Sequence, residues 1–280
     1  MSDAKLLGVE DVVRIEAPRG WRLIDLPELA HYRDLLIFLV WRDIKVLYAQ
    51  TILGFSWAIL SPAIQIVIFS IIFGRVAQIP TDGIPYALFS TVAIVPWTYM
   101  SEAMASSSQS LVGGQQILGK IYFPRVIFPL TPVLAKLVDF SIAMLLVIGT
   151  MIWFGVGLTS NILFLPLFMM IMVAVPFGIG LWLSALAIRY RDVKFAMTFV
   201  IRMLIYSAPI LYTASAIPDK WRLIYSLNPI VAVVEGFRAC LLGSPIPWQF
   251  VWPGVITCAL LVLSGLLYFR RMEKVFVDVI

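Results

Sequence analysis

From Phe140 to Ile188 the chain carries no charged residue, and no other stretch limits the possible folds so tightly. About 20 apolar residues suffice for a helix to cross a bilayer. The stretch therefore holds two crossings, divided by the Gly- and polar-rich segment Gly155 to Asn161, which reads as a hairpin. Hydrocarbon leaves backbone groups no outside partner, so such crossings are helices. With 61% apolar and 13% charged residues and a mean hydropathy of +0.95, the whole chain lies outside soluble composition. It reads as an all-α integral membrane protein.

The apolar runs predict six transmembrane helices, at about 52–73, 84–105, 127–154, 162–188, 195–213 and 248–269. Residues 1–28 read as a cytosolic extension with no visible chemistry. Ahead of the first span, residues 29–50 predict an amphipathic interfacial helix: Leu29, Leu36, Val40, Ile44 and Leu47 share one face, and Asp34, Arg42 and Lys45 the other. Phe38 and Trp41 interrupt its polar side. The segment 214–247 is too long for a tight turn, too apolar for a solvated loop and punctuated by Pro218, Asn228-Pro229, Pro245 and Pro247. It predicts re-entrant outer helices between spans five and six, split at Asn228-Pro229.

Sidedness follows from the basic clusters, because Lys and Arg concentrate in cytoplasmic loops. Lys120 with Arg125, Arg189 to Lys194, and Arg270 with Arg271 all fall on one side of a six-span arrangement, with both termini in the cytosol. The start of the chain has no basic region leading into an apolar one, so no cleaved signal peptide is expected. Cys240 and Cys258 have no metal-ligand spacing and read as packing residues; no metal site is expected.

Between spans two and three lies a polar island, Gly113 to Arg125. Gly114-Gln-Gln-Ile-Leu-Gly119-Lys120 mimics a phosphate-binding loop, but Ile121 stands where Ser or Thr would ligate Mg²⁺, and Pro124 interrupts the following helix. The island reads instead as a Gly-loosened turn and short helix at the membrane surface. Charges inside the spans are costly and pair or face water. Lys136 with Asp139, and Glu235 with Arg238, stand at i,i+3 and predict local ion pairs. Arg202 has no such neighbour, so it either snorkels or meets an acid from another helix.

An amphipathic helix before six spans, Lys120-Ile-Tyr-Phe-Pro-Arg125 between spans two and three, Arg191-Asp192 after span four and Asn228-Pro229 in an outer segment occur in this order. Together they resemble the membrane subunit of ABC-2 type exporters for lipid-linked polysaccharides, related to teichoic acid exporter permeases, from about Leu29 to the C-terminus. The resemblance implies a homodimer forming a channel and a dimer of a separate ATPase that binds ATP and Mg beneath it. This chain then needs no cofactor and performs no catalysis; its partners are the ATPase, membrane lipids and an undecaprenyl pyrophosphate-linked glycan, O antigen foremost, with no nucleic acid. It also implies residence in the cell inner membrane. The family's coupling helix maps onto 113–125, making Gln116, Lys120, Tyr122, Phe123 and Arg125 the expected ATPase contacts. Arg33, Arg42 and Lys45 become candidates for receiving the lipid headgroup, with attraction to anionic lipids an equally good account of them. Trp97, Tyr99, Phe199, Tyr206 and Tyr212 are candidates for a glycan path, although Trp and Tyr also form interfacial belts.

Other classes stay open at this point. The cargo could be a teichoic acid, a capsular glycan, a small lipid or a drug. An intramembrane enzyme acting on lipid-linked sugars would need convergent carboxylates or a His beside a nucleophile. His31 is the only His, and Asp139 and Glu235 each have a basic neighbour.

Overall fold

The computed structural model describes residues 26–49, 51–115 and 123–279, all helix, turn and loop with no strand among them. Helix α1 (Leu26–His31) and α2 (Arg33–Tyr48) precede the first apolar helix, so the single helix expected over 29–50 is broken at Tyr32. A 3₁₀ turn (Gly54–Ser56) leads into α3 (Trp57–Phe69), which runs on as a π-helical turn (Ser70–Val76). Then come α4 (Tyr86–Ser108), the short α5 (Ser110–Gly113), α6 (Ile127–Trp153), α7 (Leu165–Arg189) and α8 (Val193–Ser207). Helices α9 (Asp219–Ser226), α10 (Pro229–Leu242) and α11 (Trp248–Val279) complete the chain.

Four helical stretches are long and apolar enough to cross a membrane: Gly54–Val76, Ile127–Trp153, Ser160–Arg189 and Trp248–Glu273. The α9–α10 pair becomes a fifth if counted as one broken span, bent by 101°. Helix α4 is long enough, but Ser, Thr, Glu102 and two Tyr dilute its hydropathy; it is the central helix, with most of its residues buried from Leu88 to Met104. Helix α8 has 15 residues, about 22 Å at ~1.5 Å per residue, short of the ~30 Å hydrocarbon core. Its course continues as irregular chain through Ala208, Pro209, Ile210 and Leu211, all buried.

The main core packs α4 against α6, α7 and α10. The serine run ending α4 permits a close approach: Ser107 Oγ donates to the Pro129 carbonyl at 2.7 Å, and a Cβ on Gly180 of α7 would collide with Ser107. A second cluster gathers Leu39 of α2, Leu111 of α5, Phe123, Phe128, Leu181 and Phe269. It joins α2, α5, α6, α7 and α11.

Asn228 starts α10 by accepting from the Ile230 amide at 3.1 Å, the capping bond its residue type favours. Gly243 ends the helix in the left-handed conformation, φ +75°. The break at Asn228-Pro229 is thus a capped helix start, as the sequence pattern predicts. Asn161, from the turn before α7, donates to the carbonyls of Ala239 (3.3 Å) and Ser244 (2.9 Å) and clamps the far end of the same helix.

Candidate transport site

Helix α4 carries a polar centre near each end. At one end Arg238 lies over the Phe89 ring, 3.6 Å from its centroid, and pairs with Glu235 at 2.8 Å. The same guanidinium donates to the carbonyls of Ile210 (3.2 Å) and Tyr212 (3.4 Å). Those carbonyls belong to the irregular chain after α8, where the helix has stopped supplying backbone partners. Buried irregular backbone is tolerated only when its polar groups are satisfied, and the fork of Arg238 satisfies two of them. Arg238 is 4% exposed, and its Nε finds no partner. Around this centre Tyr86 donates to the Leu211 carbonyl (3.1 Å) and Tyr225 to the Tyr212 hydroxyl (3.2 Å).

Thirteen residues along α4 from Phe89, about 20 Å at ~1.5 Å per residue, Glu102 meets Lys136 of α6 at 2.7 Å. Lys136 also pairs with Asp139 at 2.9 Å, and Tyr48, the last residue of α2, donates its hydroxyl to Asp139. Burial, together with the Asp139 and Glu102 carboxylates, pushes the Tyr48 phenol above its ordinary value, so it remains a donor. This centre borders a cavity of about 240 Å³ lined also by Trp57, Ser61, Thr98 and Tyr99. Glu102 also lines it, with a side chain 43% exposed.

Both i,i+3 pairs read from the sequence therefore form, each within a larger assembly. Sequence reasoning missed Glu102 and the bond from Tyr48. The available signal for Glu102 was an acid inside an apolar helix with no base three or four residues away. The Arg238 fork to the α8 extension had no local signal, since it spans 26 and 28 residues of sequence.

Of the island residues, Gln116, Lys120 and Tyr122 lie outside the described residues. Phe123 is buried against Phe128, with ring centroids 5.4 Å apart. Arg125 donates to the Glu273 carbonyl at 2.9 Å, tying the island to the end of α11. On α2 the inward face is Tyr32, Leu35, Leu36 and Leu39, while Ile37, Phe38, Trp41 and Val46 are exposed. Of the expected apolar face, Leu29 and Leu36 pack on the same cluster and Val40 and Ile44 are half-buried, while Leu47 is exposed at the rim of the cavity; the most buried residue, Leu39, lies beside that face. Arg42 pairs with Asp43 at 2.8 Å, Arg33 with Asp34 at 3.6 Å, and Lys45 lies 5.9 Å from the Trp41 ring centroid.

The candidate path aromatics do not form one surface within a single chain. Trp97 and Tyr99 are buried on α4, where the Tyr99 hydroxyl donates to the Val133 carbonyl at 3.0 Å. Phe199 and Tyr206 are exposed on α8, with Arg202 exposed between them. Tyr212 is half-buried and donates to the Tyr206 carbonyl at 3.1 Å.

The profile of the ABC-2 type transporter family matches residues 34–242, which takes in α2, both polar centres and the broken α9–α10 pair. The chain is 27% identical over 253 residues to an O-antigen export system permease protein, RfbA, of Klebsiella pneumoniae, covering 90% of this chain and 97% of that protein. It is 25% identical to the inner membrane transport permease YadH of Escherichia coli K12, over 74% of this chain and 86% of that protein. It is 23% identical to the polysialic acid transport protein KpsM of Escherichia coli, over 72% and 78% respectively. With most of its length inside that profile, and with membrane-length helices arranged around paired charges rather than a catalytic constellation, the chain belongs to the ABC-2 type transporter family.

Proposed function

We propose that this chain is the permease of an exporter that carries a lipid-linked polysaccharide, O antigen foremost, across the inner membrane, driven by ATP hydrolysed in a separate subunit. The observation that carries this reading is the match to an O-antigen export permease along 97% of that protein. The kinship with a polysialic acid transport protein supports a glycan cargo over a drug. An undecaprenyl pyrophosphate anchor is part of the proposal.

Six crossings fit the helices once α4 and α8 are counted with the four longest, leaving α9 and α10 as the re-entrant outer pair. Both termini then lie in the cytosol, and α2 lies in the inner interface with Ile37, Phe38 and Trp41 toward lipid. The homodimer draws support from α8, whose exposed face carries Phe199, Arg202, Met203 and Tyr206. A cation on an apolar face at membrane depth needs a partner or water, and a seam between two copies supplies either. Aromatic faces there let sugars slide without a deep well.

The ATPase docks on the island. Phe123 anchors the segment from within, Arg125 fixes its exit to α11, and Gln116, Lys120 and Tyr122 are the remaining contacts. ATP and Mg bind to the partner. Arg125→Gln, which keeps a donor for the Glu273 carbonyl and removes the charge, should weaken the coupling of hydrolysis to export while the protein still folds. Reconstitution with the ATPase in vesicles checks this by measuring ATP turnover and glycan transfer together. Full transport by the variant would remove Arg125 from the coupling contact.

A further inference from the structure

We infer that the cavity enclosed by α2, α3, α4 and α6 is a binding subsite for a single sugar unit, with Glu102 and Lys136 as hydrogen-bonding groups and Trp57 as the stacking face. The inference rests on the glycan-export reading and assigns that cargo a definite contact.

Three properties of the cavity carry it. Its polar wall is one ammonium against two carboxylates, bound to each other at 2.7 and 2.9 Å. Such a wall is net negative, which disfavours an anionic pyrophosphate and leaves a neutral polyhydroxyl ligand well matched. Part of its hydrogen-bonding capacity is also unspent. Lys136 has three N–H donors and uses two on Glu102 and Asp139. Glu102 accepts from Lys136 through Oε2, its side chain remains 43% exposed, and it lines the cavity. A carboxylate beside a spare ammonium proton offers adjacent sugar hydroxyls one acceptor and one donor.

The third property is an aromatic group in the lining. The Trp57 side chain opens the first apolar helix, is 49% exposed and lines the cavity. An indole face complements the C–H face of a pyranose, as apolar pockets with a few convergent polar groups complement small ligands in general. The volume, about 240 Å³, holds one sugar ring and not an oligosaccharide. Ionisable groups inside membrane segments commonly mark substrate pathways, and this one joins the end of α2 to both helices that flank the island. A sugar seated here would touch the elements that ATP-driven movement of the island displaces.

The test is calorimetric titration of the full-length chain in nanodiscs with free glucose, galactose, mannose and N-acetylglucosamine, with ethanolamine as a cationic control. At least one sugar should bind saturably in the millimolar range. Glu102→Gln and, separately, Trp57→Ala should weaken that binding by about tenfold or more, with thermal melting confirming that each variant is folded. Saturable binding of none of the sugars, binding unchanged in both folded variants, or binding of ethanolamine alone would overturn the inference. A parallel assay of surface glycan in cells separates this from the larger reading. Export by the wild-type chain without sugar binding sinks the subsite alone, whereas surface glycan that persists without the chain sinks the export reading.

Discussion

The two ends of α4 hold the same motif, an acid and a base three residues apart, in opposite settings. Around Arg238 the pair is sealed: the guanidinium rests on Phe89, its two terminal nitrogens close the backbone carbonyls of Ile210 and Tyr212, and its unpartnered Nε is itself buried out of reach of a ligand. Around Lys136 the pair is open, extended by Glu102 and Tyr48 and facing a cavity. Spacing alone therefore does not separate a brace from a site. The partners supplied by distant elements decide it, because they determine whether any hydrogen-bonding capacity is left for a ligand.

Removing the sealed base breaks the comparison most severely. Arg238→Ala leaves Glu235 and two backbone carbonyls buried without their partner, and losing one member of a buried ion pair costs about 3–5 kcal/mol. The variant should accumulate poorly and melt early, as measured by thermal unfolding of detergent-purified protein. Arg238→Lys restores the charge but not the fork, so it should recover only part of the loss. A fully stable Arg238→Ala would show that the α8 extension is held by other contacts.

At the open end the loss should be smaller. Asp139→Ala removes one carboxylate from Lys136, which keeps Glu102, and deprives Tyr48 of its acceptor, at about 1–3 kcal/mol by the usual worth of such bonds. Lower expression with a modest melting shift is the expected outcome. A thermally normal variant that is dead for transport would instead place Asp139 directly on the substrate path.

These expectations rest on features of unequal legibility in the sequence. The apolar runs, the Asn228-Pro229 break and the i,i+3 pairs are local and were readable, because helix length, capping and side-chain adjacency depend on neighbours in sequence. The apolar side of α2 was readable in outline, but the depth of Leu39 was not, because its neighbours Leu111, Phe123 and Phe269 lie outside the helix. The Glu102–Lys136 bridge and the Arg238 fork join residues 26 to 34 positions apart, and only tertiary packing brings them together.

The surface charges of α2 should show the smallest effect on stability. Arg42 is engaged by Asp43 and Lys45 lies exposed near Trp41, so Arg42→Ala with Lys45→Ala is expected to leave melting nearly unchanged. If these residues receive an anionic headgroup, stimulation of the partner ATPase by an undecaprenyl pyrophosphate lipid should fall while basal hydrolysis stays intact. An unchanged stimulation curve would leave them as attractors of anionic lipid, worth about 1 kcal/mol each.

The central claim is that this chain moves a lipid-linked polysaccharide outward and does no chemistry on it. Deleting the chain and analysing the lipid fraction tests it most directly. Finished glycan, still attached to its lipid, should accumulate in the inner leaflet while the cell surface loses that polysaccharide, and restoring the chain should reverse both. Undiminished surface polysaccharide in the deletion strain, or accumulation of an unfinished glycan in place of the finished one, would contradict it.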